Sequence, residues 1–140
     1  MYTYKCTVTK IIDGDTIDVD IQLGFNVILY KQRIRLHGID TPESRTRNLE
    51  EKARGLLSKD FMKKLAPVGS SITLKSLEKG KFGRILGIIW QEGDEWETDS
   101  PINDLMIENY HAVPYTGQNK NDVESLHEAN KLKLIEKGIL

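Results

Sequence analysis

Four carboxylates crowd one short segment, Asp13-Gly14-Asp15-Thr16-Ile17-Asp18-Val19-Asp20. A fifth, Asp40, ends the stretch Arg35-Leu36-His37-Gly38-Ile39-Asp40, followed by Thr41-Pro42-Glu43. A second arginine of interest, Arg84, stands alone further along the chain, after Phe82-Gly83. These segments offer oxygen ligands for a hard cation, a spare carboxylate for acid–base work and two guanidinium groups. A phosphodiester under attack gathers charge on its non-bridging oxygens and needs fixed positive charge there. Arginine supplies that charge as a planar, permanent fork. A carboxylate beside it can accept or orient the proton of an attacking water. The set suits phosphodiester hydrolysis.

The acidic segment alone has a plainer reading, an Asp-Gly hairpin turn with a solvated strand face. It is not an EF-hand loop: counting from Asp13, the fifth residue is Ile17 and the sixth is Asp18, where an oxygen ligand and a glycine are required. His37, His111 and His127 form no pair at metal-ligand spacing and Cys6 is isolated, which argues against zinc. Asp40 shifts the balance. If the strand it ends lies near the first hairpin, Asp15 and Asp40 meet. Two carboxylates, a turn carbonyl and waters suit Ca²⁺, and equally Mg²⁺ or Mn²⁺. Without a cation the two carboxylates repel and one tends to stay protonated.

The surrounding sequence shows how such groups are positioned. Residues 4–12 read as a strand, with Cys6, Val8 and Lys10 in phase ahead of Ile11-Ile12. Ile17, Val19 and Ile21 alternate with Asp18, Asp20 and Gln22, giving a second strand with one wet face. A third strand runs from Val27 to Leu36 and puts Arg33 and Arg35 on one face. Residues 48–66 change to helical spacing through Leu49, Ala53, Leu56, Leu57, Phe61 and Leu65, and Pro67 ends the pattern. Ile72 and Leu74 open a fourth strand, Glu78-Lys79-Gly80-Lys81 is a turn, and Ile85 to Trp90 is a fifth strand. Ser100 caps, with Pro101 in the first turn, a short helix over 102–110. A last helix over 122–137 places Val123, Leu126, Ala129, Leu132 and Ile135 inward and stops at Gly138. The order predicts an α+β fold, with a helix between strands three and four as in an OB barrel. No repeat or linker interrupts residues 1–140, so a single domain is expected.

Bulk properties bound the partners. Twenty Lys+Arg stand against 21 Asp+Glu, and the net charge of −1 does not advertise a nucleic-acid binder. The charge is uneven, however: residues 85–119 hold no Lys or Arg, while residues 31–54 are rich in them. One cysteine allows no intrachain disulfide. Neither a leader nor a membrane segment is evident, so a cytoplasmic or intracellular monomer is expected, or a secreted protein if a leader has been removed.

Three segments in order, Ile12-Asp13-Gly14-Asp15-Thr16, then Arg35-Leu36-x-Gly38-Ile39-Asp40-x-Pro42-Glu43, then Phe82-Gly83-Arg84, resemble the staphylococcal nuclease (thermonuclease-like) family. Weaker likeness continues through Ile102-Asn103-Asp104-Leu105 and Glu128-Ala129, so it covers roughly residues 5–140. The resemblance implies a five-stranded OB-fold Greek-key β-barrel with three α-helices. It also implies a Ca²⁺-dependent nuclease acting on DNA and RNA, single strands preferred, with little sequence specificity. Water attacks phosphorus, the 5′-oxygen leaves and 3′-phosphate ends result.

By the same resemblance, Asp15 and Asp40 match calcium carboxylates, Thr41 a backbone carbonyl ligand, and Asp13 an acid reaching the ion through water. Glu43 matches the residue that activates or orients the water, and Arg35 and Arg84 the phosphate-holding arginines. Tyr115 matches one base-stacking tyrosine, whereas Val113 replaces another. Phe82 stands where a tyrosine is frequent, and Lys81 beside it is a compensating phosphate contact. Arg45 and Arg47 form either a phosphate-tracking edge or solvated charge flanking the helix. Plainer roles remain for others: Arg33 as an ordinary exposed strand arginine, Glu43 as an acid complementing a helix dipole. The competing functional readings are a non-catalytic OB-fold module that binds single-stranded nucleic acid and a metal-stabilised protein–protein module using the acidic 92–108 face.

Overall fold

Alternating apolar residues on strands β1 (Tyr2–Asp13), β2 (Thr16–Gly24) and β3 (Val27–Leu36) build an antiparallel meander, in a computed structural model describing residues 2–79 and 83–140 without the Lys79 side chain. The expected Lys81 and Phe82 contacts lie outside the described residues. After a two-residue strand β4 (Ile39–Asp40) come α1 (Leu49–Leu65), β5 (Ser71–Lys79), β6 (Ile85–Gln91), α2 (Ile102–Glu108), β7 (Val113–Pro114) and α3 (Lys120–Glu136). Five strands close a barrel in the order β1-β2-β3-β6-β5. The β3–β6 seam is parallel and short, Ile34 to Leu36 against Ile85 to Gly87. The expected α+β barrel with three helices is therefore observed.

The core is filled from the inward faces: Val8, Ile17, Val19, Ile34, Leu36, Leu74 and Ile89 from the barrel, Met62 from α1, Ile102 and Met106 from α2. Lys10 does not continue the inward phase of Cys6 and Val8; it is exposed. A register shift between Val8 and Lys10 against β2 turns the strand by one residue and brings Ile11 inside. Glu78 and Lys79, read as a turn, extend β5 and pair with Leu86 and Ile85.

Helix ends follow local chemistry. Asn48 caps α1 by accepting from the Glu50 and Glu51 amides, and Asn119 caps α3 by accepting from the Asp122 amide. Ser100 does not cap α2: its N-cap is Pro101, which makes no side-chain cap bond. That helix ends two residues early because Tyr110 turns to φ +64°.

Both long helices depart in part from the face their leucines suggest. In α1 the buried residues are Arg54, Gly55, Ser58 and Met62; Phe61 and Leu65 pack against the core as expected, while Leu49, Ala53 and Leu56 are exposed. In α3 only Val123 and Leu134 are buried, and Leu126, Leu132 and Ile135 point to solvent. The reason is what each helix covers. The part of α1 around Gly55 and Ser58 lies over the polar loop after β4 and the β1–β2 turn, where bulky side chains do not fit, whereas Met62 reaches the core. α3 is docked by polar contacts: Asn130 donates to the Ala112 carbonyl at 3.0 Å, and Lys131 pairs with Glu50 at 3.2 Å.

Candidate active site

The β1–β2 turn and the end of β3 meet because Leu36 N–H donates to the Asp15 carbonyl at 2.8 Å. Asp15 is buried, and its carboxylate is already engaged. Oδ1 accepts from Thr16 Oγ1 at 3.0 Å and Oδ2 from the Thr41 amide at 3.1 Å. β4 carries Asp40 to the same place. Arg35 Nη2 lies between the two acids, 3.4 Å from Asp15 Oδ2 and 3.5 Å from Asp40 Oδ1. Arg35 Nη1 donates to the Leu36 and Ile39 carbonyls at 2.9 and 3.0 Å, which fixes the plane of the guanidinium. Asp15 and Asp40, expected to meet, are thus bridged by Arg35.

Burial pushes the Asp15 carboxyl above its usual range. The Arg35 charge and the hydrogen bonds from Thr41 and Thr16 pull it back, and Asp40 pushes it up again. A buried acid held this way gains from any added positive charge. Thr41 Oγ1, beside it, is buried with no partner among the described residues. The donor set is all oxygen: two carboxylates from the β1–β2 turn and β4, with Thr41 adjacent. No group of three or more His, Cys, Asp or Glu gathers at metal-binding distance among the described residues. The arrangement fits a hard cation that keeps several waters. Asp13 does not point to the pair as a lone acid; its Oδ1 accepts from Ser44 Oγ and ties the loop after β4 to the β1–β2 turn.

Two clefts share Asp40, Lys120 and Val123 in their walls. The larger, about 1150 Å³, is lined by Arg35, Arg84, Tyr115, Lys120 and Glu78 among others. The smaller, about 270 Å³, is lined by Glu43, Thr41, Arg54, His127 and again Lys120. Glu43 lines the smaller cleft and Arg84 the larger. The exposure of Glu43 is not looseness of the backbone. A Cβ added at Gly55 of α1 would lie 2.6 Å from Ser44 N and closer still to the Glu43 carbonyl, so the loop rests directly on the helix. Gly14 plays the same part on the other side, packing against Ser58 and Thr41. Arg45 and Arg47 are exposed and line neither cleft.

The β4–β7 ladder, absent from the sequence reading, explains Tyr115. Ile39 pairs with Pro114 and Asp40 with Val113, and the Tyr115 amide donates to the Gly38 carbonyl at 2.8 Å. Tyr115 thereby enters the Arg35–Arg84 cleft, while Val113 is buried beneath it. Arg33 is the ordinary strand arginine expected, paired with Asp18 at 2.9 and 3.2 Å.

Sequence reasoning missed two residues. Lys120 lines both clefts; the signal was that Arg84 and Lys120 bracket the 35 residues without Lys or Arg. His127 reaches Asp40 from α3, and no sequence signal announced it.

The family model for staphylococcal nuclease homologues matches residues 33–137. The chain belongs to the staphylococcal nuclease family. It is 34% identical over 114 residues to an uncharacterized protein of Bacillus anthracis, covering 79% of this chain and 47% of that one. It is 29% identical over 132 residues to a thermonuclease of Staphylococcus hyicus, covering 94% of this chain and 73% of that one. An uncharacterized endonuclease of Escherichia coli is 34% identical over 84 residues, 59% of this chain and 46% of its own length. The chain thus spans about half the length of two of these three relatives. No helix among the described residues is long and apolar enough to cross a membrane.

Proposed function

We propose that this member of the staphylococcal nuclease family is a metal-dependent nuclease that hydrolyses DNA and RNA phosphodiesters, single strands preferred, with little sequence specificity. The carrying observation is Arg35 held between Asp15 and Asp40, 3.4 and 3.5 Å away, at the edge of a cleft that also holds Arg84 and Tyr115. Ca²⁺ is the favoured cation, with Mg²⁺ and Mn²⁺ as alternatives; when bound, it supplies positive charge at the phosphate and eases water attack.

The chain's own groups divide the work. Asp15, Asp40 and the Thr41 carbonyl would hold the cation, and Asp13, tied to Ser44, would reach it through water. Arg35, its plane held by two backbone carbonyls, would offer its Nη2 edge to a phosphate oxygen. Arg84, which lines the same cleft, is a second guanidinium for the phosphate. Glu43 orients the water that attacks phosphorus, the 5′-oxygen departs and a 3′-phosphate end remains. Tyr115 stacks on a base, a contact worth about 1–3 kcal/mol and tolerant of sequence. Lys120, and further out Arg45 and Arg47, follow the backbone charge. Among the described residues the group offered to bases is a stacking ring, Tyr115, rather than a base-edge code, which favours unpaired bases.

Cleavage of an end-labelled single-stranded oligonucleotide by wild type, Arg84→Ala and Arg35→Lys tests this assignment. Both variants lose turnover, and the wild-type products carry 3′-phosphates. An oligonucleotide that is bound but left intact with Ca²⁺, Mg²⁺ and Mn²⁺ in turn favours the binding module instead.

A further inference from the structure

We propose that His127 is a positioning residue for Asp40, a role that rests on the cation site proposed above. The His127 Nε2–H donates to Asp40 Oδ2 at 2.8 Å, while Asp40 Oδ1 faces Arg35. The two oxygens of one carboxylate are therefore divided between α3 and the Asp15–Arg35 side. Asp40 is about one-third exposed, whereas the imidazole is mostly buried at 12%. The ring is the fixed partner and the carboxylate the one being aimed.

The placement of His127 is itself built. Its carbonyl accepts from Arg54 Nη1 at 3.4 Å, and Arg54, buried in α1, is held by Glu50 at 2.9 Å. Glu50 also takes Lys131 from the next turn of α3, and Asn130 anchors the same turn to Ala112. Meanwhile Leu126, Leu132 and Ile135 are left in solvent. Val123, His127, Asn130 and Leu134 share one helical face, so the docking that buries the two apolar residues also presents the imidazole to Asp40.

A carboxylate ligand held by an outer hydrogen bond keeps its lone pair aimed without reordering, and loss of such a partner typically costs about 10- to 100-fold in metal affinity. His127→Leu keeps the bulk and loses the donor; His127→Gln restores an N–H at similar reach. Ca²⁺ affinity by isothermal titration calorimetry should fall about 10- to 100-fold in His127→Leu and recover most of that loss in His127→Gln. Thermal unfolding in chelator confirms that both variants are folded. If His127→Leu does not fold, His127→Asn replaces it, since its shorter amide stops short of Asp40 and should bind as the donor-free variant does. Affinity in the donor-free variant equal to or tighter than wild type overturns the role, as does a His127→Gln variant no better than it. Wild-type protein that takes up none of Ca²⁺, Mg²⁺ and Mn²⁺ overturns both this role and the cation site itself.

Discussion

Gly55→Ala separates a helix position from a site position. Glycine inside a helix costs about 1 kcal/mol relative to alanine, so the substitution should stabilise α1 by that amount at an open position. Gly55 is not open. The new Cβ would lie 2.6 Å from Ser44 N, and nearer to the Glu43 carbonyl, where ordinary contact begins at 3.4 Å. The loop must retreat by about 1 Å, and overpacking of that kind costs about 1–3 kcal/mol. Subtracting the helical gain leaves a net loss of about 1 kcal/mol, or a fall in Tm of about 3–4 °C for a chain of this length. The effect on turnover is larger. Ser44 ties this loop to Asp13, and Glu43 is its proposed water-orienting group. A misplacement of about 1 Å at a reacting group can cost about 100-fold in rate. Calorimetric melting with a cleavage assay at 25 °C reads both quantities. A raised Tm with turnover unchanged would refute the claim that α1 sets the Glu43 loop.

Other outcomes follow from buried polar groups. Asn103 accepts from Ile89 N–H at 3.1 Å and donates to the His37 and Gly87 carbonyls at 2.9 and 3.2 Å, joining α2 to β6 and to the end of β3. Asn103→Ala leaves the Ile89 amide and the His37 carbonyl without this partner, and should cost about 2–4 kcal/mol in urea unfolding; a loss below about 0.5 kcal/mol would contradict that role. His111 is buried against Phe61, with ring centroids 4.6 Å apart, and Nδ1 finds no partner among the described residues. Burial, with Lys64 adding to it, lowers its pKa from the usual 6.5, so below that pH the unfolded chain binds the proton more readily than the native one. Stability from neutral His111 is full above 6.5 and is lost as pH falls below it. His111→Phe should therefore gain on wild type more at pH 5 than at pH 8, and a difference independent of pH would refute the assignment.

The strands were legible because each shows its own period. Ile17, Val19 and Ile21 alternate, and Asp13-Gly14 marks the hairpin between β1 and β2. Asp15, Arg35 and Asp40 were legible as a set because they sit at strand ends, where the turn residues Gly14 and Pro42 announce a change of direction. The helix faces were not. Apolar period assumes that a helix buries its largest side chains, but α1 and α3 cover a polar site. Gly55 and Ser58 admit close backbone approach, and His127, Asn130 and Lys131 dock α3 by hydrogen bond and charge. The β4–β7 ladder joins residues far apart in sequence through two residues each, too short to show a period. Tyr115 and His127 entered the site region through that long-range packing, and neither position follows from local pattern.

The central claim is that cleavage requires a cation at the Asp15–Asp40 pair and a water oriented by Glu43. Denatured DNA incubated with purified protein in Ca²⁺, in chelator, and in Ca²⁺ with the Glu43→Gln variant tests it directly. The account predicts cleavage in the first condition alone, with loss in the variant of at least about 100-fold, the scale of a misplaced or missing general base. Equal cleavage in chelator, or full activity in Glu43→Gln, would contradict it.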